Sequence, residues 1–232
     1  MLLNVYISHM FKMMFSLQWK EFNRGNAVGG KLVAKIFKWF GIIYFAFIAF
    51  GMGIIASFPI EEDVIAPFLY VNKQLIYVFA YLIVMRYFIQ SLPILNIKAL
   101  LLTPLLKTKI VRFSLLKTVL TYFNILPLFF LIPFSVLLAQ TGKFDIIGLI
   151  FWNINIIGLI YVTNFFNFLL NNKDKLLYGI GGILALIKAL EYYSIVDLTE
   201  HSEQFFYLFY SQPYAVSFTW LLVFWLHNYV HK

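Results

Sequence analysis

Cysteine is absent from this sequence of 232 residues. Without a thiol, the chain has no disulfide, no cysteine nucleophile and no thiolate ligand for zinc or an iron–sulfur cluster. Charge is also scarce, because only 12% of the residues are charged, against about 25% in a typical soluble domain. Hydrophobic residues make up 62% of the chain and aromatic residues 20%. This composition excludes a soluble globular domain and predicts an all-α integral membrane protein.

The hydrophobic stretches predict six transmembrane helices, since about 20 apolar residues cross a bilayer. The predicted spans cover residues 39–58, 74–92, 118–139, 146–170, 176–196 and 213–229. We expect a turn at residues 141–145 and a membrane-surface segment at residues 197–212. The remaining stretches are too short for a soluble domain, so we predict that residues 1–232 form a single transmembrane domain.

Residues 11–38 are predicted to form an interfacial elbow before the first span. Over residues 11–24, aromatic side chains recur at helical spacing beside polar ones, which is typical of an amphipathic helix lying in the membrane interface. Lys31, Lys35 and Lys38 then line one face of a renewed helix. We expect these three lysines to bind lipid headgroups.

The distribution of positive charge predicts the orientation of the chain. With the N-terminus in the cytoplasm, 15 of the 18 Lys and Arg residues fall on the inner side. Eight of the ten acidic residues fall outside. The net charge of +8 is therefore explained by topology and lipid contact, and we expect no nucleic acid partner. Both termini are predicted to be cytoplasmic, in a bacterial inner membrane.

Charged residues inside predicted spans are candidates for function, because each one is costly in a bilayer. Arg86 lies near the cytoplasmic end of the second span and is expected to snorkel to the headgroups. Lys188 and Glu191 are three residues apart in the fifth span and are expected to pair with each other. A structural role is favoured for all three, and an ion or proton relay is the alternative.

Four asparagines lie close to one helical face of the fourth span, at Asn153, Asn164, Asn167 and Asn171. Buried amides usually bond to neighbouring helices, so helix contact is the favoured interpretation and a polar pathway lining is the alternative. Two stripes of small residues mark faces where helices approach closely. The stripes are Ala49, Gly53 and Ser57 in the first span and Gly181, Ala185 and Ala189 in the fifth.

Enzymatic motifs are missing. The glycine-rich stretch from Gly25 to Leu32 resembles a phosphate-binding loop, but Leu32 replaces the hydroxyl that would bind magnesium and no strand precedes it. Side chains for acid–base or nucleophilic chemistry are not grouped anywhere. His227 and His231 have helical spacing, but they lie at the chain end and are interpreted as interfacial. We therefore predict no intrinsic enzyme activity, no cofactor and no metal site.

Residues 93–117 form a cytoplasmic segment that is apolar yet contains two prolines, several cations and no acid. A further crossing is therefore improbable, and a short helix pressed against the cytoplasmic face is favoured. Apolar side chains exposed there would provide a docking patch for a partner protein.

This segment resembles the coupling region of type-2 ABC exporter permeases, in which a leucine pair, a small residue, proline and an apolar residue precede basic residues and an isoleucine. The matching positions are Leu101, Leu102, Thr103, Pro104, Leu105, Lys107 and Ile110. Lys109 is predicted to bind the partner together with them. More narrowly, the stretches SLQWKEFNR, LPILNIK and NFFNFLLNNKDKLLYGI resemble a bacterial family of ABC permease-like proteins. Members of that family are about twice as long, which implies a half or truncated member.

The resemblance implies a permease subunit that exports a hydrophobic or amphipathic substrate with energy from a separate cytoplasmic ATPase. Six transmembrane helices alone would enclose only a narrow transport pathway, which implies a homodimer or a second permease half. A membrane anchor or scaffold subunit of an envelope complex and an ion-coupled transporter are the alternatives, and an intramembrane enzyme ranks last.

Overall fold

A computed structural model describes residues 29–60, 62–89, 121–170, 174–193 and 197–230. In these ranges all regular secondary structure is helical, apart from one isolated bridge between Ile60 and Asp63. The helices are α1 (Gly29–Ile55), α2 (Ala66–Ile89), α3 (Tyr122–Gln140), α4 (Ile146–Leu170), α5 (Asp174–Tyr192), α6 (Leu198–Ser211) and α7 (Ala215–Val230). The prediction of an all-α protein is confirmed for this part of the chain.

Among the described residues, three helices are long and apolar enough to cross a membrane: Ala66–Phe88 of α2, Tyr122–Gln140 of α3 and Ile146–Asn167 of α4. At about 1.5 Å per residue they approach or exceed the roughly 30 Å of a bilayer core. Shorter apolar stretches occupy Trp39–Ile55 of α1 and Ala215–Leu226 of α7. These findings support a membrane protein.

The predicted boundaries differ from the helices at several ends. α2 begins at Ala66, eight residues before the predicted second span, because Lys73 continues the helix and pairs with Glu203 of α6 at 3.3 Å. α1 begins at Gly29, so Lys31 belongs to the same helix as the predicted first span. Residues 11–28 of the predicted elbow and residues 93–117 lie outside the described ranges.

Contacts divide the chain into two units, Met1–Phe47 and Ile48–Lys232. In the second unit, α4 is the central helix. Its apolar residues at helical spacing are buried on one side against α2, α3 and α6, and on another side against α7. The buried residues are Leu149, Trp152, Ile156 and Ile160 on the first side and Val162 and Phe165 on the second.

Two glycines permit close approach to α4. A Cβ atom at Gly158 would lie 2.7 Å from Cγ2 of Thr219 in α7. A Cβ at Gly148 would lie 2.7 Å from the ring of Tyr210 in α6. Because real Cβ atoms do not approach other atoms so closely, only glycine lets these helices pack at this separation. The predicted turn before α4 is confirmed, with Gly142 at a φ of 68°.

The segment predicted to lie at the membrane surface is helix α6, which packs against α2 and α4. Asp197 caps it by accepting hydrogen bonds from the backbone N–H of Glu200 at 2.9 Å and the hydroxyl of Thr199 at 2.8 Å. Ser202, Phe206 and Phe209 are buried on its inner face. Its amphipathic pattern is therefore explained by packing on the helix bundle.

Candidate functional site

Arg86 lies in the last turn of α2 and is 0% exposed, although the sequence predicted a side chain that snorkels to the headgroups. Nη2 donates to the side-chain oxygen of Asn124 at 2.6 Å and to the backbone oxygen of Phe123 at 3.1 Å. Nη1 donates to the side-chain oxygen of Asn164 at 3.4 Å. The snorkelling prediction is wrong, because neutral oxygens of α3 and α4 bind the guanidinium inside the bundle.

The cation also contacts an aromatic ring. The guanidinium carbon of Arg86 lies 5.7 Å from the centroid of the Phe123 ring, within the range of a cation–π interaction. A planar guanidinium suits this site because it combines several fixed donors with stacking on an aromatic face. Together, Arg86, Phe123, Asn124 and Asn164 form what we call the arginine cluster, which joins α2, α3 and α4.

The predicted asparagine face is divided between two neighbouring helices. Asn164 bonds to Arg86 of α2, as described, whereas Nδ2 of Asn153 donates to the hydroxyl of Ser135 in α3 at 2.7 Å. The prediction that these amides make helix contacts is therefore confirmed for both residues. Asn167 is buried, and its Nδ2 has no hydrogen-bond partner among the described residues. Asn171 lies outside the described ranges.

A second buried polar contact joins α4, α2 and α6. Nε1 of Trp152 donates to Oδ1 of Asn72 at 2.9 Å, and the hydroxyl of Ser202 donates to the backbone oxygen of Asn72 at 2.7 Å. Asn72 and Trp152 are both 0% exposed. Sequence reasoning missed this contact because the second span was predicted to begin at residue 74, which placed Asn72 in a loop.

The predicted pair of Lys188 and Glu191 is confirmed, with Nζ 2.7 Å from Oε2. The structure adds two partners from other helices. The hydroxyl of Tyr77 in α2 donates to the same carboxylate oxygen, and the backbone N–H of Thr199 in α6 donates to Oε1 at 3.2 Å. Nζ of Lys188 also lies 4.3 Å from the centroid of the Tyr77 ring. We call these four residues the Glu191 cluster.

The two small-residue stripes differ in their surroundings. A Cβ at Gly53 would lie 2.4 Å from the backbone oxygen of Phe130, which confirms close approach of α1 to α3. No atom lies within 4 Å of the corresponding position at Gly181 in α5. In the residues that the structure describes, the second stripe therefore has no helix packed against Gly181.

The predicted coupling residues lie outside the described ranges. They are Leu101, Leu102, Thr103, Pro104, Leu105, Lys107, Lys109 and Ile110. The side chains of Lys31, Lys35 and Lys38 are likewise outside the part of the chain that the structure describes. Within the described ranges, no group of three or more His, Cys, Asp or Glu side chains is arranged to hold a metal ion.

Residues 18–232 match a protein family described as a family of unknown function (DUF5687). No curated protein and no solved structure matches the chain. The match covers nearly all of the sequence, including the arginine cluster and the Glu191 cluster.

Proposed function

The chain belongs to DUF5687, a family of unknown function, and we propose that it is the membrane-spanning permease subunit of an ABC-type exporter driven by a separate cytoplasmic ATPase. In this proposal, six helices cross a bacterial inner membrane, with both termini in the cytoplasm and an interfacial elbow before the first span. The substrate is hydrophobic or amphipathic. The chain itself performs no catalysis, and a homodimer or a second permease half completes the pathway.

The observation that supports this proposal most directly is the position of the arginine cluster in the sequence. Arg86 precedes the predicted coupling segment, residues 93–117, and Asn124 follows it. The 2.6 Å hydrogen bond between these two side chains links the helix that enters the segment to the helix that leaves it. Displacement of the segment would therefore be transmitted to α2 and α3 as one unit.

The cluster also extends the connection to the central helix. Asn164 of α4 accepts a hydrogen bond from Arg86 and lies 78 residues further along the chain. α4 in turn packs against α2, α3, α6 and α7. A partner that binds residues 93–117 and changes shape on ATP hydrolysis would thus act on the centre of the bundle. This is the mechanical property that a permease requires from a coupling segment.

Affinity capture of the intact protein in mild detergent tests the proposal. The parent protein should co-purify with an ATPase, and the double variant Pro104→Ala, Leu105→Asp should lose it. The matched control is Pro59→Ala, Ile60→Asp, which makes the same chemical change in an exposed proline–isoleucine pair outside the predicted coupling segment. This control should retain the ATPase.

Three results would contradict the proposal: no ATPase with the parent, retention by the Pro104 variant, or equal loss from both variants. Circular dichroism and gel filtration establish that the compared proteins are equally folded. A non-ATPase partner captured by the parent would instead favour an anchor or scaffold subunit.

A further inference from the structure

Helix α5 is attached to the bundle very differently from α2 and α4. Of its side chains that the structure describes, none is buried. α2 and α4, by contrast, bury residues along most of their lengths. In lipid, exposed apolar surface supplies little force for helix association, so a helix without buried side chains is held mainly by its specific contacts.

The specific contacts of α5 converge on one carboxylate near its end. The Glu191 side chain is only 13% exposed and accepts from donors on three helices: Lys188 of α5, Tyr77 of α2 and Thr199 of α6. Hydrogen bonds to a charged acceptor are stronger than those between neutral groups. Loss of this single carboxylate would remove the described hydrogen bonds from α5 to both neighbouring helices at once and would leave the contact of Lys188 with the Tyr77 ring.

We propose that the Glu191 cluster is a latch, and that α5 is a moving arm which the latch holds against α2 and α6. In the latched state, Glu191 accepts from Tyr77 and Thr199 as seen here. In the released state, those two hydrogen bonds and the contact of Lys188 with the Tyr77 ring break. Lys188 remains paired with Glu191 on the same helix, and α5 moves relative to the central helix. The inference goes beyond the permease proposal and does not depend on it, because it concerns the chain alone.

The arrangement of partners favours a latch over a permanent structural anchor. Lys188 and Glu191 lie on the same helix, so their salt bridge moves with α5 and neutralises the carboxylate in both states. A charge that stays paired lowers the cost of breaking the two contacts with other helices. Among the described residues, the surface beside Gly179, Gly181 and Gly182 is open, since a Cβ atom at any of the three would meet none of their atoms within 4 Å. This open surface leaves α5 room to move.

Distance measurement between two spin labels tests the latch, and the absence of cysteine makes the labelling specific. Labels are placed on Leu186→Cys of α5 and Ile150→Cys of α4, both exposed positions. The labelled protein is diluted with unlabelled protein in lipid nanodiscs, so that only distances within one chain are measured. Glu191→Gln and Tyr77→Phe open the latch, and Glu203→Gln is the matched control.

The control removes the same charge from the Lys73–Glu203 salt bridge, which does not involve α5. In Glu191→Gln and Tyr77→Phe we expect a second population of label-to-label distances, displaced by about 5 Å, which is one helical turn. The share of molecules in this population should be roughly tenfold higher than in the parent. The control should match the parent. If Glu191→Gln does not fold, Tyr77→Phe still tests the latch, because this variant removes one hydroxyl and leaves the carboxylate its other two donors.

Unchanged distances in folded latch variants would overturn the proposal. Equal broadening in Glu203→Gln would also overturn it, because the effect would then be a general loosening of the bundle. Neither result bears on ATPase capture, so failure of the latch is distinguishable from failure of the permease proposal.

Discussion

Replacing Arg86 with methionine should destabilise the protein more than replacing its partner Asn124 with leucine. Asn124 accepts the shortest hydrogen bond of the arginine cluster, 2.6 Å, and both side chains are buried. Asn124→Leu would leave the cation in place with one acceptor fewer, at a cost of about 2 kcal/mol, since hydrogen bonds to charged groups contribute roughly 1.5–3 kcal/mol. Arg86→Met would remove the donor from three acceptors, Asn124, Asn164 and the backbone oxygen of Phe123, and should cost about 3 kcal/mol or more, since each acceptor that loses its donor costs roughly 1–3 kcal/mol.

The double variant completes the test. Once Arg86 is methionine, the loss of Asn124 no longer affects a buried charge, so the double variant should be about 1–2 kcal/mol more stable than the sum of the single changes predicts. Asn153→Leu is the control, because it removes a neutral amide–hydroxyl contact between helices and should cost about 0.6 kcal/mol.

Reversible unfolding in mixed micelles, followed by circular dichroism, measures these free energies. The order of the effects matters more than their absolute size. If Asn124→Leu cost more than Arg86→Met, or if the two changes were additive, the guanidinium would not be held by Asn124 as described. The arginine cluster could then not link the two ends of the coupling segment.

Three further changes test the packing, the buried polar contact and the helix cap. Gly53→Ala should cost roughly 1–3 kcal/mol in unfolding free energy, because its Cβ would meet backbone of α3. Gly51→Ala in the same helix should be tolerated, because its Cβ would meet no atom of the described residues within 4 Å. Trp152→Phe removes the donor to buried Asn72 and should lower stability by about 1–3 kcal/mol in the same unfolding assay, and an unchanged midpoint would contradict that contact. The pKa of Asp197 lies below its ordinary value because a backbone N–H and a hydroxyl in the first turn of α6 donate to the carboxylate. The contribution of the Asp197 carboxylate to the stability of α6 should therefore be present above the ordinary aspartate pKa and be lost as the pH falls through the lowered pKa of Asp197. The loss should be measurable as faster amide hydrogen exchange in α6, and Asp197→Ala should show no such pH dependence.

Local features of the bundle could be predicted from the sequence. Lys188 and Glu191 are three residues apart, and helical periodicity alone places them side by side. Gly53 stands in a stripe of small residues, which is typical of helices in close contact. The turn at residues 141–145 follows from its polar, glycine-containing sequence between two apolar stretches.

Contacts between distant residues could not be predicted. Arg86 meets Asn124 and Asn164, which are 38 and 78 residues away, and nothing in their spacing indicates that they converge. The role of Asn72 could not be predicted, because the charge of the neighbouring Lys73 indicated the end of a span. In the structure Lys73 continues the helix and forms a salt bridge with Glu203 of α6. The positions of buried charged and amide side chains therefore depend on partners that are distant in the sequence.

The most direct test of the permease proposal is ATP hydrolysis by the captured complex. The complex is placed in lipid nanodiscs, and its rate is compared with that of the isolated ATPase subunit and with a complex carrying Arg86→Met. We predict that the parent complex changes the hydrolysis rate, and that Arg86→Met keeps the ATPase bound but returns the rate to that of the isolated subunit. Equal rates for the parent complex and the isolated ATPase would contradict coupling through residues 93–117, and an unaltered rate in the variant would contradict the role of the arginine cluster.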